Sequence, residues 1–165
     1  MSFMPSTHKK VVVRKNDRDT VTGYVEPVNF VVEGKLQLLN TAGRVVSLDL
    51  EDIKGVYFVR DFAGAEDATR KTFTTRPRTE GLWVRLQFRD NEVMEAMMPN
   101  DLAQIRKEGF LVTPPDTRSN TQRIFIPRSS LETLTVLAVI GAAGKRRHVA
   151  RDGSLQVPLF EEQAG

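Results

Sequence analysis

At 165 residues, with 40% hydrophobic and 27% charged residues, the chain has the size and composition of one globular domain or two very small ones. It has no Cys, and its two histidines, His8 and His148, stand near opposite ends. Disulfide scaffolds, thiol catalysis and thiolate zinc sites are therefore excluded, and a His-based catalytic pair would need the termini to meet. The net charge of +3 hides a nearly even balance along the sequence, seven cations against seven anions over residues 81–140 for example.

The first ten residues lack the apolar run of a signal peptide, and the longest apolar stretch, Leu134 to Ala143, falls short of the roughly 20 residues a spanning helix needs. Together with the missing Cys, this leads to the expectation of a cytoplasmic protein with no membrane partner. Val11 to Arg14 forms the first apolar strand, a polar turn covers Lys15 to Asp19, and Thr20 to Val25 follows as a second strand. Beyond Pro27 and the Glu33-Gly34 step come Leu36 to Leu39, Val45 to Leu50, and Ile53 to Val59. Alternation with period two, Val/Ile/Phe content and short length argue for strands throughout.

Residues 61–80 mix Gly, Ala, Thr, Pro and charge around a single Phe73, the composition of a linker. The same order of elements then recurs. Trp83 to Phe88 and Glu92 to Met97 flank the turn Arg89-Asp90-Asn91, Pro99 and Glu108-Gly109 follow, and then Phe110 to Val112, Arg123 to Ile126 and Leu131 to Ile140. The one helical stretch is Asn100 to Lys107, at most two turns, with Asn100 as its N-cap. The expectation is an all-β chain of two tandem five-stranded antiparallel barrels. Residues 1–60 form the first barrel, 61–80 the linker, 81–142 the second barrel and 143–165 a basic, loosely held tail. Barrel closure would remove open strand edges and give a short chain a usable core.

Val21-Thr22-Gly23-Tyr24-Val25, and the strand from Val46 that passes an acidic step and Ile53 into a last strand, resemble the Sm-like fold of the Sm proteins and the bacterial Sm-like RNA chaperone. The resemblance covers roughly residues 10–60 and, in strand pattern, 82–140. It implies ring assembly through outer strands and binding of single-stranded RNA by loop residues. Of the family's first loop motif only Asn29 has a counterpart, and Asp49-Leu50 stands where the family has Arg-Gly. In the second half Glu95 is aligned with Gly23, and Arg128 is the nearby cation.

Three groups of cations could track phosphates: Lys9 to Arg18; Arg70, Lys71, Arg76 and Arg78; and Lys145 to Arg151. The loop Pro114 to Arg123 concentrates guanidinium, amide and hydroxyl groups, and Arg118, Asn120, Gln122 and Arg123 are its candidates for contacting phosphates or bases. Asp49 and Glu51 would share a strand face, as an outward polar face or a weak cation site. Trp83, Phe88, Phe110 and Phe125 are assigned to the core by their alternation. No P-loop, GxGxxG, GxSxG or HExxH motif is present. The expected function is a non-enzymatic, bacterial-type adaptor or assembly module with no cofactor and no metal, joined to a protein partner or to copies of itself. The alternative is single-stranded RNA binding; small-molecule sensing is a third reading with no particular residue behind it.

Overall fold

The alternating Val, Ile, Leu and Phe runs become strands across the residues described by this computed structural model: 8–64, 70–116 and 118–141. The tail from 142, with Lys145, Arg146, Arg147 and Arg151, lies outside the described residues. The fold is all-β. A first group holds β1 (Lys9–Lys15), β2 (Thr20–Val25), β3 (Val31–Val32), β4 (Lys35–Asn40), β5 (Val45–Asp49) and β6 (Ile53–Val59). A second holds β7 (Gly81–Phe88), β8 (Val93–Met98), β9 (Gly109–Val112), β10 (Thr121–Pro127) and β11 (Leu131–Ile140). Among the described residues, helical structure is confined to 3₁₀ turns of three residues. One of these, Leu102–Gln104, sits where a short helix was expected, and its cap is Asp101 rather than Asn100: the Asp101 side chain accepts from the Ala103 N–H.

The two groups are wired alike. In the first, β5, β4, β2, β1 and β6 are neighbours in that order; in the second, β10 pairs with β9, a single bridge at Thr113, one residue past β9, reaches Met97 of β8, and β8, β7 and β11 follow. The turn after β1 and the turn after β7 repeat each other bond for bond. Lys15 N–H reaches Asp19 O and Phe88 N–H reaches Glu92 O, at 2.9 and 2.8 Å. Asp19 N–H and Glu92 N–H bind the carboxylates of Asp17 and Asp90, and Arg18 and Asn91 both take positive φ, 76° and 73°. An Asp whose carboxylate accepts from the N–H two residues further on forms the Asx turn that stabilises such a bend. The entries to the last strands match as well. Leu50 N–H donates to Gly34 O and Arg128 N–H to Glu108 O, each at the start of a 3₁₀ turn, Leu50–Asp52 or Arg128–Ser130. This register makes Ala96 the counterpart of Gly23, correcting the alignment of Gly23 with Glu95. It also puts Glu51 in a turn, so Asp49 and Glu51 do not alternate along one strand.

The expected barrels do not close. No ladder joins β5 to β6 or β10 to β11; the free side of β10 is taken by β6 of the first group, so that strands of both groups form one eight-stranded sheet beside a three-stranded one. Thr121, Arg123, Ile124 and Phe125 lie opposite Val59, Phe58, Tyr57 and Val56. Because neighbouring residues of a strand point to opposite faces, this shared wall feeds two cores. Phe125 enters the first core with Val56, Val11, Val13, Leu36 and Ile53, where Phe30 meets its ring edge-on at 5.1 Å. Ile124 joins the second core with Val84, Leu86, Phe110 and Ile126, and Tyr57 of the first group packs against it.

The groups differ at the seam between their second and third strands. In the first, Gly23 and Tyr24 of β2 pair with Asn40 and Leu39 of β4, and Gly23 is required there because a Cβ would stand 2.6 Å from Leu39 O. In the second, Pro114 and Pro115 follow β9; proline lacks the N–H a ladder needs, and only Met97 and Thr113 pair across the seam. The linker completes it. Lys71 O accepts the Glu95 N–H at 2.6 Å, and the Glu95 carboxylate accepts both the Phe73 N–H and the Trp83 indole N–H at 3.1 Å. Phe73 lies edge-on to Trp83 at 5.9 Å. Trp83 is therefore an outer-face residue that anchors the linker, not a core residue, whereas Phe88, Phe110 and Phe125 are buried as expected.

Candidate functional site

Of the four residues singled out in the Pro114–Arg123 loop, one is engaged within the fold and three are exposed. Asn120 is spent on structure: its Oδ1 accepts the Asp61 N–H at 3.0 Å, its Nδ2 donates to Asp61 O at 2.8 Å, and its backbone O accepts the Arg60 N–H. These bonds engage one N–H and one oxygen lone pair of the Asn120 amide with the backbone of Asp61, so the side chain is held in the loop. Arg118 is exposed on an Asx turn, its N–H bound to the Asp116 carboxylate at 3.0 Å. Gln122 and Arg123 are exposed at the bulge where β10 meets β6.

Of the linker cations, Lys71 forms an ion pair with Glu92. Arg70, Arg76 and Arg78 are exposed, and Arg76 and Arg78 border a cleft of about 520 Å³ whose walls include Pro77, Met97, Met98 and the Pro114-Pro115 step. Arg118 and Arg123 do not line it. A second cleft, about 280 Å³, lies between the loop Pro27–Val31 and residues Gln104, Arg106 and Glu108–Leu111, with Asn29 at its rim.

The arrangement with the clearest geometry is the junction of β6 with β10 and the edges left over from it. At the junction, Lys54 bulges out of the β1–β6 ladder, which pairs Arg14 with Gly55 and Lys15 with Ile53. Its ammonium reaches across to Asp90 (2.6 Å) and Glu92, over the Phe88 ring at 5.0 Å. Burial lowers the affinity of Lys54 for its proton, but the bonds to Asp90 and Glu92 outweigh that and hold it above the ordinary lysine value of 10.5. Asp90 is held below the usual carboxylate range chiefly by its bond to Lys54. For Glu92, burial pulls upward, yet the ammonium groups of Lys54 and Lys71 bring it below that range. A cation of one group is thus clamped by two carboxylates of the other.

Besides the two-residue β3, which pairs only with β4, and the bridged seam of β8 and β9, the wiring leaves two strands with an open side among the described residues: β5, which pairs only with β4, and β11, which pairs only with β7. Both expose β-branched side chains, with Val45 73%, Val136 48% and Val139 58% accessible. Lys35 and Asp49 close the end of β5 with an exposed 2.6 Å ion pair. Ten residues long and with Glu132 its only charge, β11 lacks the inward charges, prolines and shortness that usually guard an edge.

Residues 7–138 match the model of a family of unknown function, DUF6982. The chain belongs to that family. Neither a curated protein nor a solved structure matches it. The match runs from before β1 to within β11, so both strand groups, their junction and both open edges belong to the family's unit. No described helix of this member is long and apolar enough to cross a membrane. The Lys54 clamp and the open edges carry no local sequence signal, since both arise from pairings between residues far apart in the chain.

Proposed function

We propose that this member of the DUF6982 family is a non-enzymatic assembly module, a tandem repeat of one Sm-like five-strand unit that joins polypeptides by adding strands to its open edges. The observation that carries the reading is the β6–β10 ladder, in which strands of the two groups are already joined edge to edge. An open strand offers a row of backbone N–H and C=O groups to an incoming strand, and exposed β-branched side chains supply its cross-strand contacts. A photo-crosslinking residue at Val45 or Val136, introduced into the full chain in its native host, tests this against a control at Val28, which lies on a loop. Crosslinks to polypeptide at the two edges and none at Val28 are expected; no crosslinked polypeptide at either edge would remove the reading.

A second reading is supported by the cleft beside Arg76 and Arg78: binding of single-stranded RNA, with the two guanidinium groups on phosphates. Fluorescence anisotropy of a labelled single strand tests it. The expected affinity falls log-linearly with salt, and Arg76→Ala with Arg78→Ala flattens the slope by about two counterions' worth.

A further inference from the structure

We infer that the cleft between the linker and the end of β8 is a peptide site, and that its ligand is an extended acidic segment of another protein, two carboxylates flanking an apolar side chain. The linker step Arg76-Pro77-Arg78 builds its rim. Pro77 is buried, while Arg76 and Arg78 on either side of it are exposed. Proline fixes its own backbone angle and holds the residue before it out of the helical region, so the step is pinned and extended with a guanidinium to each side. Among the described residues neither guanidinium has an ion-pair partner, whereas Lys71 of the same linker is held by Glu92. The main-chain N–H and C=O groups of Arg76 and Arg78 are likewise without a partner among the described residues. Below the rim, the walls are Met97, Met98 and the Pro114-Pro115 step. Methionine side chains are unbranched and polarizable and shape themselves to an apolar group. The space, about 520 Å³, takes a large side chain from a peptide whose main chain lies at the rim.

The charge of the lining selects the sign of the ligand. Glu80, its one described carboxylate, is already partnered, so Arg76 and Arg78 leave the rim positive. Alternate residues of an extended chain stand about 6.5 Å apart. Arg76 and Arg78 are alternate residues too, so a carboxylate–apolar–carboxylate segment laid beside them matches them one to one. The side chain between the two carboxylates then turns the opposite way, into the cleft. The unpaired main chain of the rim favours a polypeptide, because an incoming segment can pair with it as at a sheet edge. A nucleic-acid strand has phosphates for the guanidiniums, but its bases are held by stacking on aromatic rings. Phe73, the one aromatic ring among the described lining residues, already meets Trp83 edge-on. The site goes beyond the assembly reading above: its residues belong to neither β5 nor β11, and it stands or falls independently of those edges.

Fluorescence anisotropy of labelled peptides, titrated with the full chain, tests this. The probe is a short peptide with Glu-Leu-Glu between Gly-Ser flanks, and its controls carry Gln-Leu-Gln or Glu-Ser-Glu in the same flanks. Saturable binding of the probe is expected. Arg76→Ala with Arg78→Ala should weaken it about tenfold, whereas Arg118→Ala with Arg123→Ala, outside the cleft, should leave it unchanged. Both arginines of the rim are exposed, so their double variant should keep the wild-type melting temperature. Each control peptide should bind about tenfold more weakly, the first for want of charge and the second for want of a side chain to bury. No saturable binding of Glu-Leu-Glu would overturn the inference, as would binding that survives loss of both arginines. Equal affinity for Glu-Ser-Glu would overturn it as well, reducing the cleft to a charged surface. Labelled oligouridine that binds through Arg76 and Arg78 where the peptide does not would overturn it and leave the RNA reading in place.

Discussion

The two strand groups share turn bonds, register and strand order, yet they are finished differently. The first is sealed by its own residues along the β2–β4 seam and is completed in its core by a side chain of the second. The second borrows the linker for its seam and takes Tyr57 for its core. Equivalent backbones therefore do not make independent units: what distinguishes the groups is which borrowed piece each needs.

Removing the borrowed core residue breaks this comparison most severely. Phe125→Ala should cost about 3–5 kcal/mol, and amide exchange should rise first in β1, β4 and β6 of the first group, although the residue belongs to the second. A loss confined to β9 and β10 would show that the groups hold together separately. Next in size is the seam. Gly23→Ala drives a Cβ against Leu39 O and Leu38 and should cost about 1–3 kcal/mol in a denaturant titration, whereas Ala96→Gly at the equivalent position should cost about 1 kcal/mol or less.

The clamp comes third. Lys54→Met leaves Glu92 facing Lys71 alone and should cost about 1–2 kcal/mol, between the values of exposed and buried pairs. Because Asp90 and Glu92 are held below their ordinary range, their contribution is complete above the unfolded carboxylate values near pH 4 and is lost as pH falls through their folded values. Lys54, held above 10.5, contributes fully below that pH and loses its contribution as pH rises through its folded value. Melting temperature plotted against pH should therefore fall more gently on the acid side in Lys54→Met than in the wild type. The smallest effect belongs to the linker. Glu95→Gln weakens the anchor of Phe73 and Trp83 and should cost about 1 kcal/mol. Trp83 is the chain's single tryptophan, so its fluorescence reports that change directly.

The sequence is legible where physics is local. Alternation finds the strands and the recurring order of elements, the turn at Asp90-Asn91 announces itself, and Phe73 marks the linker as more than a spacer once Trp83 is found beside it. Barrel closure was not legible, because β10 meets β6 across a pairing that no local pattern encodes. For the same reason Asn120 reads as an available amide in sequence although Asp61, distant along the chain, occupies it. The open edges are invisible until every other strand has been assigned its partners.

Synthesis proceeds from the N-terminus, so β1 to β6 leave the ribosome while Phe125 has yet to be made. The first group emerges with a vacancy in its core and with β6 unpaired on the side that β10 will cover. Its folding stays provisional over the synthesis of the linker, β7, β8 and β9, and becomes final with β10. A nascent chain stalled before residue 121 should be readily cut by protease within the first group, and one stalled after β11 has cleared the exit tunnel should resist.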